Sequence, residues 1–506
     1  DQAGAARQPG DPALRELLAA GARRGQAELK AQPRAHAELL GVLSRLYVGI
    51  GDYPQALAQS EAQHRLLQAD PDAPAGLRLD AASQHGRVLR LLSRSRDCVA
   101  RMQPLAAPAL HLQAQARQQA ADFYLQYGHC RRMLGEPIAA RQWFERALDL
   151  RRDLAGDDAG VAEAMIELAM LESDAARTSA AIAQFMAARD LVLARLGQRH
   201  PLLVDIRRNL AALEIDRGQA GDAEASLQPA LELALDLHGP LHPATLAVRR
   251  QLGLAWLQQG RLDQAERELR AQHESTANAL GQDHRETAQS LDALGRLALE
   301  RGDTAAALAQ LRQAVAIWRQ PDGHHLLDRG LADLALAQAA HGDARGARAT
   351  LEDAHRLRAA RLGSSHPALG ELDRQIGELL LDQGQAQDAR PWLERGAQLT
   401  QLGYGADDPR SLRAELALAR LPPGNAAAGE GRAGEEPASA LQRFAGRLPP
   451  GEAMAALRWQ AQAWAAHADC QAGHVAAGTR QLQDLQAQLQ LARPQGGRLP
   501  RLVAGL

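Results

Sequence analysis

Lysine is nearly absent from this chain: of 58 Lys and Arg residues, only Lys30 is a lysine. A phosphate-cradling P-loop needs a lysine in a glycine-rich context, and Lys30 has none. Aromatic residues make up 3% of the sequence. So sparse a supply offers no row of stacking platforms for single-stranded nucleic acid. The formal charge is −2, which removes the basic stripe that duplex binding requires. No apolar run approaches the ~18 residues of a membrane span. The three cysteines, Cys98, Cys130 and Cys470, stand far apart. They fit no metal-ligand or redox spacing and do not fix a compartment. No HExxH, GxSxG, HRD or DFG motif is present, so hydrolase and kinase chemistry has no residues to rest on. Gly49-Ile50-Gly51 lacks the third glycine of a phosphate loop.

Scarce β-branched and aromatic residues, beside abundant Leu and Ala, give an all-helical composition. A length of 506 residues would ordinarily mean about three domains of ~150 residues. Self-similarity at a fixed period overrides that division. His200-Pro201 returns 42 residues on as His242-Pro243, and Gly218 returns as Gly260 and Gly302 at the same interval. Around Gly260 stand Leu252 and Gly253 before the turn, then Ala265 and Leu269 after it. Gly218 is flanked in the same way by Leu210, Ala211, Ala223 and Leu227, and Gly302 by Leu294, Gly295, Ala307 and Leu311. One phase is always small: Ser44, Gly86, Gly128, Ala169, Ala211, Gly253, Gly295, Ala335 and Gly377. A tiny residue on one helix admits a bulky one from its neighbour, and a turn glycine joins the two. Cys98 fills the small position of the second copy and reads as a buried small residue.

These residues resemble the tetratricopeptide repeat in its long form of about 42 residues, as in kinesin light chains. The resemblance implies an all-α right-handed superhelical solenoid of about eleven antiparallel helix pairs. Turns are expected at Gly51, Ser93, Gly135, Ala176, Gly218, Gly260, Gly302, Gly342, Gly384 and Gly473. The expected organisation is a disordered start and capping helix over 1–34, opened by Asp11-Pro12, then the solenoid over 35–420. A flexible Gly/Pro-rich insertion over 421–437 is followed by degenerate repeats over 438–493 and a loosely attached tail over 494–506.

His200, His242, His284 and His366 recur, with Asp158 and Asp408 at matching places. Equivalent residues of successive repeats lie a helix spacing apart, ~8–10 Å, too far to share an ion whose ligands sit ~2 Å away. They are read as helix N-caps, with Pro at the first helical position. His324-His325 reads as a surface loop. No metal and no cofactor are expected.

Function is expected in the concave groove. Kinesin light chains carry an asparagine pair before the signature leucine of each first helix. The matching pairs here are Arg208-Asn209, Arg250-Gln251, Asp292-Ala293, Ala332-Asp333 and Arg374-Gln375. The expected groove residues are therefore Arg208, Asn209, Arg250, Gln251, Asp292, Asp333, Arg374 and Gln375, a positive section followed by a negative one. A protein or peptide partner with an acidic segment over Arg208 and Arg250 fits that pattern; a nucleic acid does not. Since Asn-Asn is replaced, no peptide preference carries over.

Asp11-Pro12, Leu17-Leu18, Gly21, Arg24, Glu28-Leu29, Gln32-Pro33, Leu46-Tyr47 and Gly51 are similar to a segment of bacterial transmembrane serine/threonine kinases, between the membrane helix and a C-terminal repeat array. That resemblance implies a non-catalytic sensor or docking region, extracytoplasmic if the topology holds and cytoplasmic otherwise. The alternatives are the regulatory region of a transcriptional regulator, or an enzyme with a site in the solenoid. Small-angle scattering should give a radius of gyration above the compact-globule value of ~23 Å for this length, and a value at or below it would contradict the solenoid.

Overall fold

The computed structural model describes residues 12–92, 94–320, 326–422 and 437–506. The expectations for residues 1–10, Asp11, Ser93, His324-His325 and the interior of the Gly/Pro-rich insertion lie outside them. Among the described residues there are 24 helices and no strand. A first helix, α1 (Pro12–Glu28), precedes eleven antiparallel pairs. These are α2 (Pro33–Gly49) with α3 (Tyr53–Gln68), α4 (Ala75–Leu91) with α5 (Ser95–Leu112), and α6 (Arg117–Met133) with α7 (Pro137–Arg152). Next come α8 (Asp158–Asp174) with α9 (Thr178–Arg195), α10 (Leu202–Asp216) with α11 (Ala220–His238), and α12 (Pro243–Gln259) with α13 (Leu262–Leu280). They continue as α14 (Arg285–Arg301) with α15 (Thr304–Trp318), α16 (Leu327–Ala340) with α17 (Ala344–Leu362), and α18 (Pro367–Asp382) with α19 (Ala386–Tyr404). The last are α20 (Pro409–Ala419) with α21 (Pro437–Arg447) and α22 (Glu452–Gln471) with α23 (Val475–Ala492), closed by α24 (Arg498–Gly505).

Each pair is made by the small-residue phase. A Cβ added at Gly253 would lie 2.6 Å from Leu269 Cδ2, and one at Gly128 would lie 2.5 Å from Phe144 Cε1. Gly295 faces Leu311 and Gly377 faces Leu393 at the same 2.5 Å. Ser44 occupies this phase in the first pair and turns its hydroxyl to the Ala56 carbonyl, 3.0 Å away. Gly260 ends α12 in the left-handed region, at φ 80°. Ala176 holds the corresponding turn at φ 61°, a conformation that costs a residue with a Cβ.

The caps follow the recurring histidines. In His242, His284 and His366, Nδ1 accepts the N–H two residues on, each at 3.2 Å. His200 departs from the expectation: its Nδ1 accepts from Leu202 N–H at 3.3 Å, but the cap position of α10 is Pro201, so His200 stands one residue outside it. Asp408 caps α20 through Arg410 N–H at 2.9 Å. In the fourth pair the cap is Asp157, accepting from Gly160 N–H at 3.2 Å, rather than Asp158, which is the first residue of α8.

Successive turns of the coil touch. The turn after α2 meets the start of α12: a Cβ at Gly51 would lie 3.5 Å from Pro243 Cδ. One pair further on, the His284 ring faces the Leu91 carbonyl at the end of α4. His366 likewise faces the Asp174 carbonyl at the end of α8. Arg410 Nη2 donates to Thr178 Oγ1 at 3.0 Å, and Arg493 Nη2 to the Gln258 carbonyl at 3.2 Å. One superhelical turn thus takes about five helix pairs.

Two local expectations are corrected. Residues 494–506 are held, not loose. Gln495 Oε1 accepts from Asp263 N–H at 2.9 Å, and Arg501 donates to the Leu299 and Glu300 carbonyls at 2.7 and 2.8 Å. Leu499 and Val503 are buried against Ala463, Leu485 and Leu489. Cys98 and Cys130, for which no pairing was expected, form a disulfide between α5 and α6 with a Cα–Cα distance of 5.8 Å, within the span a disulfide bridges.

Gly253→Leu is expected to lower stability by about 1–3 kcal/mol or more by forcing apart helices that now touch. Denaturant unfolding measures it; an unchanged midpoint would misplace the interface.

Candidate functional site

The inner wall of the coil is built from the first helix of each pair. Because the turns touch and five pairs complete a circuit, charged side chains from opposite walls come within electrostatic reach. Arg329 on α16 lies near Asp292 on α14, Asp333 on its own helix, Asp216 at the end of α10 and Glu371 on α18. Arg413 on α20 lies near Arg374, Glu371, Asp216 and Asp408. Asp216 and Arg329 are themselves exposed to water. Yet enclosure by surrounding protein raises the Asp216 carboxyl above its ordinary range, against the pull of Arg329, Arg410 and Arg296. Groups that are wet and enclosed at once line a lumen.

The eight groove residues named from sequence all lie on these inner helices, but in unequal settings. Arg250 is 8% exposed and Asp292 7%. Arg250 Nη2 sits 3.6 Å from Glu286 Oε2, and its Nε has no hydrogen-bond partner. Arg208 is half-buried, its Nη2 3.3 Å from Asp205 Oδ1. Arg374 pairs with Glu378 on its own helix. Asn209, Gln251, Asp333 and Gln375 are half-buried. Burial pushes the Asp292 carboxyl up to about 7, and nearby Asp333 pushes the same way, against Arg329, Arg296 and Arg250. The structure thus brings Arg208, Arg250, Asp292 and Asp333 into one connected charge network.

Sequence reasoning missed Arg296, Arg329, Arg413, Asp216 and Glu371. Arg329 and Arg296 had a findable signal: each stands one helical turn from an acid already named, Asp333 and Asp292. Asp216 and Arg413 had none, because they meet only across the lumen.

Among the described residues, no group of three or more His, Cys, Asp or Glu is placed to hold a metal ion. No helix of the described chain is long and apolar enough to cross a membrane.

The tetratricopeptide-repeat family profile matches residues 202–271 and 255–320. No curated protein matches the chain. Among solved structures, the chain is similar to the nearly identical TPR-like repeats of a putative kinesin light chain from Podosopora anserina. Identity is 24%, over 40% of this chain and 98% of that one, with a TM-score of 0.32. A Rap protein complexed with Competence and Sporulation Factor is 13% identical over 68% of this chain and 97% of its own, with a TM-score of 0.46. BtubC from P. vanneervenii is 18% identical over 52% of this chain and 91% of its own, with a TM-score of 0.29. The class that fold and profile define is a tetratricopeptide-like repeat solenoid. Of its 24 described helices, α2 to α23 run as eleven consecutive antiparallel pairs.

The histidines generate a pH prediction. Nine of them, including His200 and the caps His242, His284 and His366, are held below the ordinary imidazole value, burial being the first cause in each. His242 falls to about 4. In the unfolded chain each would titrate near ~6.5. The unfolded state therefore takes up more protons as pH falls from there, and stability drops over that window. Five carboxyls raised by burial, Asp122, Glu163, Glu214, Asp216 and Asp292, the last to about 7, work in the opposite direction, five acids against nine bases. The melting temperature should fall between pH 7 and pH 4.5, and less so in His242→Asn, which keeps a cap acceptor that does not titrate. A flat profile would contradict the capping assignment.

Proposed function

We propose that the chain is a non-catalytic interaction scaffold that takes an extended, acidic protein segment into its lumen. The observation that carries this reading is a set of inner-wall cations whose donors are unengaged, although Asp216, Asp292, Asp333 and Glu371 lie within electrostatic reach. Arg296, Arg329 and Arg413 make no hydrogen bond or ion pair among the described residues. Arg208 and Arg250 continue the same wall. A guanidinium accepts a carboxylate through two parallel N–H donors. Each such bond contributes roughly 1.5–3 kcal/mol when sheltered from water and much less when exposed. Stacked repeats present such groups along one continuous concave surface. The finer reading keeps the sensor or docking role beside a bacterial signalling kinase. It rests on the resemblance of residues 11–51, and sequence upstream of Asp1 encoding a membrane helix and a kinase domain would support it.

Peptide-display selection on the purified chain should enrich extended segments with spaced acidic residues. Arg250 lies against Glu286, so a charge reversal there would disturb the fold as well as the groove. The informative variant is Arg208→Gln with Arg329→Gln, which should weaken a selected peptide about tenfold, equivalent to ~1.4 kcal/mol. Arg356→Gln, on a side chain 77% exposed on α17, should leave it unchanged. Equal affinity of the double variant and the wild type, by calorimetry at low salt, would contradict this binding surface.

A further inference from the structure

The seam between the first and second turns holds a second set of cations, separate from the lumen wall proposed above. His284 caps α14 through Nδ1 and faces the Leu91 carbonyl through the other side of its ring. That approach brings their chain neighbours, Arg285 and Arg90, within electrostatic reach of one another, although the His284 Nε2 itself makes no hydrogen bond. Other copies carry proline after this histidine or aspartate: Pro201, Pro243, Pro367 and Pro409. Only this copy of the motif carries arginine there. Pro243 fills the equivalent seam one pair earlier by packing on Gly51, so an arginine is not needed to close the coil.

The two guanidiniums are poorly provided for. Arg285 Nε and Nη1 are buried and have no hydrogen-bond partner, and neither does Arg90 Nε. The nearest acidic oxygen to Arg285 is Glu286 Oε1, at 4.0 Å, and Glu286 also serves Arg250. Glu167 lies close to Arg90; its Oε2 is 3.1 Å from His129 Nδ1 but makes no hydrogen bond, and Arg132 also lies in its field. Arg87, exposed at the mouth, adds a third positive charge, with Glu163 beside it. Tyr53 closes the floor, 7% exposed. Burial first, against the pull of Glu167 and with Arg87 and Arg285 adding to it, brings the Arg90 guanidinium down to about 10.

Three guanidiniums share this seam with Glu163, Glu167 and Glu286, none of which engages the buried donors of Arg90 and Arg285, and those unused donors ask for an anion that can reach both. We propose that a phosphate group binds this seam between Arg90 and Arg285, either as inorganic phosphate or as a phosphomonoester on a partner, and fastens the first turn of the coil to the second. Arginine offers phosphate parallel donors, and a dianion offsets more than one guanidinium. The bound group touches α4 on one turn and α14 on the next, so its binding favours the closed coil.

The test is calorimetry and thermal melting with inorganic phosphate in a non-phosphate buffer, chloride being adjusted to hold ionic strength constant. Wild type should show saturable binding and a rise in melting temperature. Arg90→Gln and Arg285→Gln should each weaken phosphate at least tenfold, and Arg356→Gln should not. Arg285→Pro restores the residue that other copies carry. It should fold, melt at or above wild type without phosphate, and ignore the anion. Matched serine and phosphoserine peptides separate the sources: tighter phosphopeptide binding assigns a partner-borne group, and equal or tighter binding of free phosphate assigns the small anion. A response that follows ionic strength alone, or that survives in Arg285→Pro, would overturn the proposal.

Discussion

The contact between a small residue on a first helix and a bulky one on the second is the constraint from which the rest of the structure follows. In the glycine-bearing copies it recurs at one spacing: Gly86 with Met102, Gly128 with Phe144, Gly253 with Leu269, Gly295 with Leu311, Gly377 with Leu393. Were the first residue larger, the helices would separate and the bulky side chain would lose its groove. Because each pair is made alike, the angle between neighbouring pairs repeats. A repeated rotation is a superhelix, and here its pitch is short enough for turns to meet.

Contact between turns changes what the inner surface can do. An open curved face leaves its charges in bulk water, where an ion pair contributes little. In this coil the walls approach, so Asp216, Arg329, Glu371 and Arg413 act on one another across the lumen. The histidines tie local structure to that closure. Accepting a cap bond at Nδ1 leaves the other nitrogen as the one that carries hydrogen, and in His284 and His366 it is buried near a carbonyl at the end of a helix one turn away without closing a hydrogen bond. A protonated ring could no longer accept the cap bond.

Much of this was legible in the sequence because it is local. The period, the small positions, the caps at His242, His284 and Asp408 and the turn at Gly260 all depend on residues within one repeat, and each is written many times. What was not legible depends on pairs of residues written once. Arg410 meets Thr178 and Arg493 meets Gln258 only because of the accumulated rotation of several pairs, which no single repeat encodes. Cys98 and Cys130 fall at different phases of the period, so the repeat pattern gave no reason to join them. Helix α5 packs on α6, and that brings them together. In the groove, the positions were legible but their burial was not: Arg250 and Arg208 read as equivalents, yet only Arg250 is enclosed.

The central claim is that successive turns touch, and a distance across the seam tests it most directly. Spin labels at Ser179 and Ala406, both exposed and flanking the Thr178–Arg410 contact, report that separation once Cys470, the free cysteine, is changed to serine. Pulsed dipolar spectroscopy should then give one narrow, short-distance population. A broad distribution centred at long distance would describe an open solenoid, and would contradict both the enclosed lumen and the seam.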